Sequence, residues 1–134
     1  MGKKYINYLL TILASLLFFP LAFLGQIGGN LAGEFFIWFN NYFSYFGIPK
    51  IISIVVVAFM AGYIAGYFSA YIIKKVYKNL NLICAMIFPV LLIGAAMIGD
   101  FLYAQKNGFD LDYLGHVIRN PATIFYYYYF LFDL

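Results

Sequence analysis

Residues 51–73 read IISIVVVAFMAGYIAGYFSAYII. The stretch carries no charge, and at about 1.5 Å per residue it reaches about 34 Å, enough to cross a hydrocarbon core of about 30 Å. Ala58, Gly62, Gly66 and Ala70 recur every fourth residue and form one ladder on a helix, with Ala61, Ala65 and Ser69 as a second ladder beside it. In lipid, burial of apolar surface does not drive helices together, and they associate where small residues let backbones approach. The pattern predicts a membrane-spanning helix packed against along one broad stripe.

Working outward from this stretch, Lys50 stands at its start and Lys74, Lys75 and Lys78 at its end. A further apolar run, residues 80–103, follows the lysines at once, so 50–73 and 80–103 are expected to form an antiparallel hairpin. Counting from the turn sets Ala58 level with Ala95 and Ala96, and Ser53 near Gly99, so small residues of both helices should meet there. Lys50 and Asp100 fall at similar depth near the headgroups and are expected to pair, because an ionisable group at that depth needs a partner or water. Pro89 is expected to kink its helix.

Upstream, Lys3 and Lys4 precede a long apolar run, read as an uncleaved first span over residues 5–25 with a bend at Pro20. The glycine-rich GQIGGNLAG, residues 25–33, reads as a break. Residues 31–47 are rich in aromatics and predict a helix lying in the interface, with Leu31, Phe35, Trp38, Phe39, Tyr42 and Phe46 toward lipid. Downstream, residues 104–120 have soluble character. Asn120-Pro121 then gives a helix-start signal for a short or partial fourth span over 117–133.

The fold class expected is an all-α integral membrane protein. It is a single domain over 1–134, with three or four transmembrane helices and an outer-interface aromatic helix between the first two. Composition agrees, since 66% of residues are hydrophobic and 10% charged, against about a quarter charged in soluble chains. The positive-inside rule places Lys3, Lys4, Lys74, Lys75 and Lys78 in the cytoplasm, hence an inner-membrane protein with a cytoplasmic amino terminus. A net charge of +3 without dense basic patches excludes a nucleic-acid surface. Cys84, the single cysteine, reads as a small buried hydrophobe.

Asp110, Asp112, His116 and Arg119 form the one cluster of chemistry-bearing side chains. On a helix, Asp112 and His116 would share a face with Arg119. Two ligands do not make a metal site, and no nucleophile, phosphate-loop or dinucleotide motif is present, so no enzyme, metal or cofactor is expected. No span is read as carrying a mid-membrane carboxylate or arginine, which argues against a proton-coupled carrier.

Two function classes stay in view. A hairpin partner uses one small-residue stripe of 51–73, and the left-over stripe suggests assembly with copies of the chain or with another protein. That points to a homo-oligomeric membrane component, either a sensor or a pore lined by Thr11, Ser15, Ser53 and Ser69. Its turn of Lys74, Lys75 and Lys78 would meet a cytoplasmic partner protein or anionic lipid. The alternative is a non-conducting immunity or exclusion protein that binds another membrane protein. No family motif is recognisable. With lysines before the first span, a lysine-rich inner turn and abundant Phe, Tyr, Ile and Asn, the layout is similar to small membrane proteins of bacterial mobile elements. These include immunity proteins against pore-forming bacteriocins, phage exclusion proteins and the small four-span subunit of the Kiwa anti-phage system. The resemblance implies a defence setting and carries over no functional residue.

Overall fold

The computed structural model describes residues 2–43 and 50–132, apart from the side chains of 40–43. All regular structure among them is helical: α1 Gly2–Ser15, α2 Phe18–Phe43, α3 Lys50–Val76, α4 Leu82–Asn107 and α5 Leu111–Leu131. Three helical stretches, Gly2–Phe39, Lys50–Val76 and Leu82–Asn107, are long and apolar enough to cross a membrane, which is compatible with a multi-pass membrane protein. The outer surface agrees, since Ile83, Leu91, Ile98 and Leu102 of α4 are all more than half exposed. A soluble chain rarely leaves so much contiguous apolar surface uncovered. Phe46 and Pro49 lie outside the described residues, as does the side chain of Tyr42.

The first correction concerns residues 25–33, which form no break. They lie inside α2, which is continuous from Phe18 to Phe43. The interruption comes earlier, at Leu16 and Leu17, and Pro20 explains it. Proline has no N–H to give the carbonyl of Leu16, so Phe19 N–H takes that carbonyl at 3.3 Å, and Leu16 and Leu17 also bond three residues back. The glycines instead serve close packing. A Cβ added at Gly25 would stand 2.6 Å from Ala65 Cα, one at Gly29 2.5 Å from Ala61 Cα and one at Gly33 3.0 Å from Val57 Cα. Thus α2 runs antiparallel to α3 along most of its length. The apolar stretch Gly2–Phe39 takes in the expected first span at 5–25, and residues 31–43, the described part of the expected interfacial helix at 31–47, continue α2 and form no separate helix.

α1 sits at the lysine-turn end of the molecule. Tyr77 Oη donates to Asn7 Oδ1, and Asn81 N–H donates to Thr11 Oγ1 at 3.1 Å. Thr11, Ala14 and Ser15 are buried, whereas Tyr5, Ile6, Leu9 and Leu13 face outward.

α5 lies beside α3 and parallel to it. A Cβ on Gly115 would meet Ile54 near the start of α3, and one on Gly62 would come within 2.6 Å of Ala122 Cβ. Near the other end Lys74 Nζ donates to the Phe130 carbonyl at 3.3 Å. α5 starts at Asp110, whose Oδ1 accepts from Tyr113 N–H at 3.0 Å. The Asn120-Pro121 start signal is therefore corrected, and Pro121 is internal to the helix. α4 packs on α5 and α1 and scarcely approaches α3. It carries Pro89 inside one unbroken helix, capped at Asn81, whose Oδ1 accepts from Cys84 N–H. The apolar core, including Phe18, Ala70, Ile73, Ala85 and Tyr127, fills the lysine-turn half.

Candidate functional site

Both small-residue ladders of α3 are buried: Ala58, Ala61, Gly62, Ala65, Gly66, Ser69 and Ala70. Their partners differ from expectation. Ala61 and Ala65 receive the α2 glycines, whereas Gly62 and Gly66 receive α5, with Gly66 facing Tyr127 N and Thr123 O. Ala95 and Gly99 are exposed, and nothing lies within 4 Å of a Cβ added at Gly99. The expected packing of α3 on α4 is thus overturned, and no stripe of α3 is left over. The signal for α2 was in the sequence: Gly25, Gly29 and Gly33 have the four-residue spacing of close helix packing.

At the Lys50 end α2, α3 and α5 leave a cavity of about 650 Å³ between them. Asn30, Glu34 and Trp38 line it from α2, Lys50 and Ser53 from α3, and Asp112, His116 and Arg119 from α5. Its floor is level with Ala58 and Arg119. Beyond the floor α2 and α5 meet through side chains. Gln26 Nε2 donates to Thr123 Oγ1 at 3.1 Å, and Thr123 Oγ1 donates to the Arg119 carbonyl at 2.8 Å. Deeper still, the Phe18 and Tyr127 rings meet edge to face at 4.9 Å, and Tyr127 Oη donates to the Ala85 carbonyl at 3.0 Å. The cavity is a vestibule in the Lys50 half, and a smaller cleft that shares His116 and Arg119 with it continues along Gln26 toward Phe19.

Lys50 and Asp100 do not form the expected pair. Lys50 lines the vestibule, while Asp100 Oδ2 accepts from Asn120 Nδ2 at 3.1 Å and lies 3.5 Å from His116 Nδ1. α4 approaches α3 too little to bring the two charges together. Asn120, 3% exposed, was read only as a helix cap. Arg119 Nη2 lies 2.7 Å from the same His116 Nδ1. A guanidinium only donates, so this contact uses the imidazole lone pair. Arg119 Nε is buried with no hydrogen-bond partner among the described residues.

Asp112 lines the same vestibule as His116 and Arg119, whereas Asp110 caps α5 and faces out. Sequence spacing put the first three on one face; it could not supply Asp100, which comes from another helix. The carbonyl of Arg119 lies beside Gly62, near the midpoint of α3, and Asp100 is level with His116 and Asn120. At the far end, Lys74 is bonded to α5, Lys75 lies 4.6 Å from the Tyr71 ring centre, and Lys78 is exposed.

No protein-family model, curated protein or solved structure matches the chain. The fold and site define an all-helical chain of membrane-spanning build with a charged vestibule at one end.

Proposed function

We propose that the chain is a non-catalytic, multi-pass component of the inner membrane, of the sensor type, which admits a small charged ligand to the vestibule from outside. The observation that carries this reading is Arg119 at the vestibule floor, beside the midpoint of α3, whose Nε has no hydrogen-bond partner among the described residues. A charged side chain at membrane depth costs roughly 2.5–3.5 kcal/mol or more, and such groups mark ligand and ion sites. Closure by Gln26, Thr123, Phe18 and Tyr127 favours a sensor over an open pore. The layout resemblance supports a setting in defence or phage exclusion. Assembly with copies of itself remains part of the proposal, but it would use a surface other than the Gly62 and Gly66 face.

A second reading, a binding protein that meets another membrane protein, draws on a wholly apolar groove of about 470 Å³ along α4 and α5. Leu82, Met86, Val90 and Tyr128 line that groove.

Cysteine accessibility tests the vestibule. In a Cys84→Ala background, Ser53→Cys should react with a membrane-impermeant maleimide added outside intact cells, and Ser69→Cys should not. A Ser53→Cys variant that stays unlabelled from outside would sink the reading.

A further inference from the structure

We infer that the vestibule ligand is a zwitterion, carrying an ammonium and an anionic group a few ångströms apart, as phosphoethanolamine does. The inference rests on the vestibule reading above and adds the ligand class. The lining holds two acids, Glu34 and Asp112, and two bases, Lys50 and Arg119, drawn from three helices. Among the described residues none of the four makes a contact ion pair, although Arg119 also feels the Asp100 carboxylate from the α4 side. A lone anion attracted to Arg119 would also face two carboxylates, and a lone cation at Glu34 would face two bases. A molecule with both charges meets a partner for each.

The geometry sets its direction. Gly33 abuts Val57, so Glu34 follows at that depth on the α2 wall. Arg119 stands at comparable depth on the α5 wall, between the levels of Ile54 and Gly62. The anionic group goes to Arg119, whose guanidinium is steadied by His116, and the ammonium goes to Glu34. Asp100 lies behind His116 on the α4 side, where Asn120 holds it, and lines a smaller cleft that shares His116 and Arg119 with the vestibule. A volume of about 650 Å³ suits an organic ligand better than a bare ion.

This chemistry is shared by a soluble solute and by the headgroup of phosphatidylethanolamine. The experiment separates them. Trp38, the only tryptophan, lines the vestibule and reports on it by fluorescence. The full chain in nanodiscs of phosphatidylglycerol is titrated with O-phosphoethanolamine, inorganic phosphate or ethanolamine. A second series raises the phosphatidylethanolamine content of the discs. The expected result is a saturable emission change with the zwitterion, in solution or in the disc. Phosphate alone or ethanolamine alone should bind about tenfold more weakly, as should the zwitterion to Glu34→Gln and Arg119→Gln. Lys106→Gln, away from the vestibule, should match the parent.

Saturation by the soluble probe alone assigns a solute, dependence on disc composition alone assigns the lipid headgroup, and both together support the inference. Phosphate or ethanolamine binding as well as the zwitterion, no saturation in either series, or indifference to Glu34→Gln overturns it. Glu34 is exposed, so its variant decides the matter should Arg119→Gln not fold. If Ser53→Cys is labelled from outside yet no zwitterion saturates, the ligand class is wrong and the vestibule stands; if Ser53→Cys is unreactive, the vestibule itself is wrong.

Discussion

Gly28 and Gly29 are adjacent in sequence and opposite in consequence. Nothing lies within 4 Å of a Cβ at Gly28, while a Cβ at Gly29 would be driven to 2.5 Å from the Ala61 backbone. Gly28→Ala should therefore be neutral, or stabilising by up to about 1 kcal/mol through helix propensity. Gly29→Ala has to push α2 from α3 and should cost about 1–3 kcal/mol, as overpacking does. Thermal unfolding of the two variants in one detergent reads the difference, and equal melting points would contradict the register described here. The same pair shows why residues 25–33 were misread. Glycine punctuates a chain when judged by composition, and it packs helices when judged by spacing. A surplus of glycines obscured the spacing.

At the level of the element, α3 and α4 were legible because each is a long apolar run bounded by charge or turn. The structure gives Lys50–Val76 and Leu82–Asn107 for runs read as 50–73 and 80–103. α5 was legible only in part. Its second half is aromatic and its first half polar, so no single window announces one helix, and Pro121 looked like a beginning. The Asp110 cap and the contact of Gly115 with Ile54 reveal the true start, and the contact depends on a neighbour the sequence does not name. Asp110→Ala should cost about 1 kcal/mol, the usual worth of such a cap, and fray the first turn. Hydrogen exchange at the amides of Tyr113 and Leu114, both bonded to Asp110, should rise while that of 122–127 stays protected. Equal protection of Tyr113 and Leu114 in parent and variant would show that α5 does not depend on this cap.

At the scale of the whole molecule, the two halves are built differently. The lysine-turn half is an apolar core, and the Lys50 half opens around charges drawn from α2, α3 and α5, with Asp100 of α4 behind. Small-residue ladders say that a helix will be approached closely; they do not say by which helix. On α3 both ladders are taken within the chain, so a large side chain at Gly62 must force α5 away. Gly62→Leu should thus lower the melting point of the protomer, by several degrees for a change of about 1–3 kcal/mol in a domain of this size. The micelle-corrected mass of the folded fraction should stay as in the parent. A Gly62 face that joined copies would give the reverse: an unchanged melting point with a drop in mass. Melting and mass measured on the same preparation therefore decide whether α5 or a second copy covers Gly62.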